Sequence, residues 1–211
     1  MAKVQGIKEK LHWPLYDAFV VPEQNGHGPT NFATEMAKRD ARILRFFVDV
    51  QNKTRLETNL QASGTLPSLN SYEIRAMRVV VSPVLRPGRQ HKEEHSRETD
   101  NVLSDLIYNS VTSLLVGEKT MIEMPTYYFP AGAGVSPGNQ SLPSHGEPDP
   151  MATFRFSEPV AIEPNQNFRV EILFPQGVPT GPANTSLRLG NAPGPLRLWV
   201  VLDGYLTRDV Q

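Results

Sequence analysis

A chain of 211 residues with 39% hydrophobic and 20% charged content is long and apolar enough to bury one sizeable core, which excludes wholesale disorder. Its 21 Lys and Arg balance 22 Asp and Glu to a formal net charge of -1, so nucleic-acid binding driven by phosphate neutralisation is disfavoured. The absence of cysteine removes disulfides, thiolate metal sites and cysteine nucleophiles, and the longest apolar runs, around residues 44–50 and 196–202, fall far short of the roughly 20 residues of a membrane-spanning helix.

Residues 1–40 alternate apolar clusters, including Trp13, Leu15, Tyr16, Phe19, Val20 and Val21, with turn chemistry such as Asn25-Gly26-His27-Gly28-Pro29. They read as an extended N-terminal arm carrying one strand, ahead of a single domain over residues 41–211. Lys3, Lys8 and Lys10 precede no apolar stretch, so no secretory leader is predicted and synthesis in a cytoplasm is expected. The first clear strand is 43–51, with Leu44, Phe46, Val48 and Val50 on one face and Arg45, Phe47 and Asp49 on the other. A second covers 72–82, where Val79-Val80-Val81 is a β-branched run stopped by Pro83.

Residues 86–101 read as a charged loop. Beyond it Leu106, Ile107, Ser110, Val111 and Leu114 recur at spacings of three and four, which predicts one helix of about three turns capped by Thr99 or Asp100. A hairpin near 115–120 and a strand running to Pro125 follow, then a loop rich in Pro, Gly and Ser over 130–150. Strands resume at 153–157 and at 168–174, where Phe168, Val170, Ile172 and Phe174 lie opposite Arg169, Glu171 and Leu173. A second loop, 175–195, carries a short strand candidate at 186–189, and the last strand, 196–206, places Leu196, Leu198, Val200 and Leu202 on one face and Trp199 on the other. Of 19 prolines, 13 lie between Pro125 and Pro195, which forbids long helices there. The fold class expected is all-β: a single eight-stranded antiparallel jelly roll with one short inserted helix and long Pro-rich loops, an immunoglobulin-like sandwich being the alternative.

Catalytic signals are weak. His91-Lys92-Glu93-Glu94-His95 matches the H-x-x-E-H zinc-protease pattern, but its charged, turn-forming flanks favour a solvated loop over a buried metal helix. His12, His27 and His145 are isolated, and no predicted strand carries the clustered histidines of a cupin-type site. Glu123, Glu171 and Asp203 are strand acids that read as solvent-facing members of alternating strands rather than a glycosidase pair. Gly132-Ala133-Gly134 lacks the Lys and the strand-to-helix context of a phosphate loop. Trp13, Tyr127, Tyr128 and Trp199 are aromatics able to stack on sugars or to lie under a neighbouring subunit.

Several pieces share an order. Thr58-Asn59-Leu60 and Gly64-Thr65-Leu66-Pro67 precede a strand; a helix leads to Val116-Gly117-Glu118-Lys119 and Glu123-Met124-Pro125; Pro130-Ala131-Gly132-Ala133-Gly134 follows. Together with Pro159-Val160-Ala161-Ile162-Glu163-Pro164-Asn165 and Leu202-Asp203-Gly204-Tyr205-Leu206, this resembles the jelly-roll major capsid proteins of tailless, membrane-containing icosahedral bacteriophages, in their single-barrel form. The resemblance implies a non-enzymatic structural protein of the virion that self-assembles, alone or with a second coat protein, over an internal viral membrane. It implies no cofactor, metal, small-molecule substrate or specific nucleic acid. Under this reading Trp13, Leu15, Tyr16, Phe19 and Val20 of the arm, with Phe47, Trp199 and Val201 on nominally outer faces, are the candidate intersubunit contacts. Removal of residues 1–22 is then expected to leave a folded barrel that no longer assembles. The alternative is a carbohydrate- or protein-binding jelly-roll module.

Overall fold

The computed structural model describes residues 8–23, 30–82, 84, 92–130, 153–182 and 187–209. In chain order the strands are β1 (Lys8–His12), β2 (Leu15–Val21), β3 (Ile43–Phe46), β4 (Ser71–Val81), β5 (Val111–Val116), β6 (Lys119–Pro125), β7 (Phe154–Ile162), β8 (Phe168–Leu173) and β9 (Leu196–Asp209). Helix α1 (Phe32–Ala37) lies between β2 and β3, and helix α2 (Lys92–Asn109) between β4 and β5.

The strands form two antiparallel sheets. One has the order β2-β9-β4-β7, with β1 continuing beyond β2 along the same side of β9; the other has the order β3-β8-β5-β6. Apart from the β5–β6 hairpin, successive strands from β2 to β9 cross from one sheet to the other. That interleaving closes the five-stranded and the four-stranded sheet into a jelly roll, the fold class expected from the alternating strands.

β9 organises the first sheet. Of its 14 residues, those from Leu196 to Thr207 alternate buried and half-buried positions, and it pairs with β1, β2 and β4. Leu198, Val200 and Leu202 of β9, with Ile74, Met77 and Val79 of β4, belong to the same core cluster as Leu114, Val170 and Ile172 of the second sheet. Phe32 of α1 joins this core through edge-on contacts with Phe19 and Phe174, with ring centroids 5.2 and 6.3 Å apart. Tyr72 is fully buried, its hydroxyl donating to the Leu202 carbonyl at 2.8 Å, and burial pushes its phenol well above the ordinary value.

Four expectations are corrected. The segment expected as an arm supplies β1, β2 and α1, and β2 is a core strand whose Leu15, Ala18, Phe19 and Val21 are buried. The expected strand 43–51 ends at Phe46, because Phe47 takes φ 69° and turns its ring inward onto Phe168 instead of continuing the alternation. The helix expected near residue 100 begins at Lys92 and stops at Asn109, where Ser110 Oγ donates back to the Leu106 carbonyl at 2.6 Å and the chain enters β5. The short α1 is a second helix, capped by Asn31 Oδ1 accepting from Thr34 N at 2.8 Å.

Candidate functional site

The residues named as intersubunit contacts divide by burial. Leu15, Phe19 and Phe47 lie in the subunit's own core and are unavailable to a neighbour. Tyr16 and Val20 are half-buried on the outer face of β2, and the Tyr16 hydroxyl donates to the Arg55 carbonyl. Trp199 is likewise half-buried, its Nε1 donating to the Leu56 carbonyl at 2.9 Å under the 54–60 loop, and Val201 lies between Tyr16 and Arg78 in the sheet register. Only Trp13, at 47% exposure, stands well out from the surface.

A more exposed aromatic group sits at the junction of α2, β5 and β6. Tyr108, in the last turn of α2, is 71% exposed, while Tyr127 and Tyr128, on the 3₁₀ turn after β6, are 49% and 48% exposed. The Tyr108 and Tyr127 ring centroids are 6.1 Å apart, and Tyr127 stacks on Tyr128 at 4.9 Å with a 29° interplanar angle. These rings are held from below. Thr126 is fully buried; its hydroxyl is 2.6 Å from Ser110 Oγ and 2.8 Å from Thr112 Oγ1, and its N–H donates to the Ser110 carbonyl at 3.0 Å. On the far side Phe129 is buried and accepts from Val79 N at 3.1 Å through its carbonyl. The turn that carries two of the tyrosines is therefore fixed at both ends by satisfied buried polar groups.

The outer face of the first sheet carries a cleft of about 450 Å³ lined by His12, Arg75, Arg78, Arg155, Asp203 and Tyr205, among others. It opens where the β4–β7 ladder is irregular: between paired positions Ile74↔Val160 and Ala76↔Arg155, β4 advances two residues and β7 five. Pro159 lies in the displaced part of β7 and cannot donate to the ladder. The same point requires Gly204, because a Cβ there would collide with the Glu73 carbonyl oxygen.

Charge in this region is unevenly paired. His12 Nε2 lies 2.7 Å from Asp203 Oδ1, and Glu73 accepts from Lys10 Nζ at 2.7 Å and from Arg75 Nε at 2.6 Å. Those two cations hold the Glu73 carboxyl below the ordinary carboxylate value. Lys10 and Arg75 also stand over the Tyr205 ring, 5.0 and 5.3 Å from its centroid. Arg78 Nη2 approaches Asp203 only to 3.8 Å, and its buried Nε has no acceptor among the described residues.

The remaining sequence candidates do not converge. Asp203 belongs to the cleft, paired with His12. Glu123 and Glu171 flank Ser113 across the second sheet, with Glu171 held by Arg169 at 2.8 Å and Arg45 at 3.5 Å. His91, His27, His145 and Gly132-Ala133-Gly134 lie outside the described residues, as does Ser186 of the short strand candidate at 186–189, whose Leu187 to Leu189 form no strand and lead instead into a 3₁₀ turn at Leu189–Asn191; Lys92 to His95 are in α2, not in a loop. Among the described residues no group of three His, Asp or Glu side chains is arranged to hold a metal. The cleft was missed from sequence; of the tyrosine group, Tyr127 and Tyr128 were named there as aromatics able to stack on a sugar or lie under a neighbour, and Tyr108 was not. A signal for the cleft was present in β4, where charged residues at 73, 75 and 78 change spacing from two to three, the mark of a bulge.

The chain is thus an all-β jelly-roll protein with an aromatic surface group and a cationic cleft. No protein-family model matches it, and no curated protein or solved structure matches it either.

Proposed function

We propose that this chain is a structural subunit of a viral shell, a capsid protein that assembles with copies of itself. The observation that carries the reading is the group formed by Tyr108, Tyr127 and Tyr128: large rings, about half exposed or more, that the Thr126 network holds in one place. Tyrosine is enriched at protein interfaces, and a preordered aromatic group forfeits little entropy on docking. Jelly rolls are a recurrent fold of shell proteins, and the sequence resemblance to single-barrel capsid proteins of membrane-containing phages points the same way. Copies of this chain are the proposed partner; a second coat protein and an internal membrane are the further partners that the resemblance implies.

The same rings favour a second reading, a carbohydrate-binding module. The 29° stacking of Tyr127 on Tyr128 covers one face of each ring and leaves less free surface for a sugar than three separate rings would.

The test is the size of the purified full chain by sedimentation and electron microscopy. The wild type should form capsomers or particles, and the Tyr108→Ser/Tyr127→Ser double variant should remain folded by circular dichroism yet sediment as a monomer. A wild type that stays monomeric at high concentration, and binds glycans through these tyrosines, would replace the shell reading with the module.

A further inference from the structure

The cleft on the outer face of the first sheet is not needed for the shell reading, and its chemistry is of another kind. At and beside it lie Lys10, Arg75, Arg78 and Arg155 against Glu73 and Asp203, four positive side chains to two negative, on a chain whose net charge is only -1. The carboxylates are already engaged: Glu73 by Lys10 and Arg75, Asp203 by His12. Arg155 is left over, and Arg78 is only loosely paired, its Nη2 3.8 Å from Asp203. Arg155 has no ion pair or hydrogen bond among the described residues, and the buried Nε of Arg78 faces no acceptor there. Buried donors in folded proteins almost always have a partner, so an orphan at the wall of an open cavity calls for one from outside the chain. Thr153 and Ser157, also on the wall, add hydroxyl donors.

We propose that this cleft binds a small oxyanion of the phosphate type, with Arg78 and Arg155 as its principal donors. Guanidinium presents its N–H groups in a planar fork that meets two oxygens of one anion at once, and two such forks on adjacent strands can hold a tetrahedral anion between them. Ala76 supports the geometry: it pairs with both Arg155 and Asp203 and leaves space on the cleft floor that a larger side chain would fill. Asp203 sets the selectivity. Its carboxylate, hydrogen-bonded to His12, leaves the site only a modest excess of positive charge, which suits a small ion or ester better than a long polyanion.

Calorimetric titration of the full chain with inorganic phosphate, at ionic strength held constant with chloride, tests this. Saturable binding at one site per chain is expected, weakened about tenfold or more by Arg155→Gln and by Arg78→Gln. The exposed Lys119→Gln change in β6 should leave it unaltered. Glycerol phosphate in place of inorganic phosphate separates the sources: tighter binding assigns the site to a phosphate ester, equal or weaker binding to the free ion. Because Arg155 is exposed and has no partner among the described residues, its variant should fold normally. Phosphate heats no larger than those of chloride, or an Arg155→Gln protein with wild-type affinity, would overturn the proposal, and neither result bears on assembly.

Discussion

Asp17 is the side chain on which the turn after β3 depends. It is fully buried, accepts from the Phe47 backbone N–H at 2.7 Å, and binds Lys53 Nζ at 2.9 and 3.0 Å, with the Lys53 side chain only 9% exposed. Phe47 in turn holds a positive φ that a bulky residue adopts only when its surroundings impose it. Two contacts do so here: the Asp17 carboxylate on its N–H and the Gly64 N–H on its carbonyl, at 2.6 Å. Removing one partner of a buried pair leaves the other charge uncompensated, which typically costs about 3–5 kcal/mol. Asp17→Ala is therefore expected to lower the unfolding free energy by about that amount, read from urea midpoints. Asp17→Ala combined with Lys53→Met, which removes both charges, should be less destabilised than Asp17→Ala alone. A single variant within about 1 kcal/mol of wild type would show that Asp17 does not hold this turn. None of this was legible beforehand. A charged residue inside an apolar run reads as an outer position, and the lysine that neutralises it is 36 residues away in sequence.

At the scale of elements, legibility followed local pattern. β8 and β9 were plain because uninterrupted alternation of Phe168, Val170 and Ile172, and of Leu196, Leu198, Val200 and Leu202, needs no knowledge of partners. α2 was found only over its C-terminal half, where Val102 and Leu106 enter the core; its first turns carry Lys92, Glu93, Glu94 and Arg97, good helix formers with no apolar period. β2 was the larger miss. Its place in the fold comes from pairing Leu15 with Leu202 and Val21 with Leu196, contacts across nearly the whole chain, and from Thr58 and Asn59 closing its other side through hydrogen bonds to Tyr16. The truncation experiment changes accordingly. Deleting residues 1–22 removes the buried side chains of Leu15, Phe19 and Val21, each contributing about 1.5–3 kcal/mol, out of a total stability of about 5–15 kcal/mol. That protein is expected to lose cooperative unfolding. Deletion of residues 1–12 takes away, among the described residues, only β1, which has no buried residue, and should leave a cooperative thermal transition. Equal behaviour of the two truncations would contradict the assignment of β2 to the core.

For the whole molecule, the question is which surfaces remain for neighbours once the sheets are closed. Strand addition is hindered at two edges: the bulge and Pro159 interrupt β7, and the 58–60 segment occupies the free side of β2. Overall charge neither drives nor opposes association, since 21 cations meet 22 acids. What the described surface offers is side-chain contact, above all at Tyr108, Tyr127 and Tyr128. Contacts of that kind respond differently to salt than ion pairs do. Raising ionic strength from about 0.1 M to about 1 M shortens the Debye length from about 10 Å to about 3 Å and screens exposed charges, whereas apolar burial is unaffected or strengthened. If the tyrosines carry the interface, the fraction of assembled protein should hold or rise across that range, measured by sedimentation at fixed concentration. The Tyr108→Ser/Tyr127→Ser protein should stay dissociated at both ends of it. Assembly that dissolves as salt is added would assign the interface to charged residues instead and leave the tyrosine group without that role.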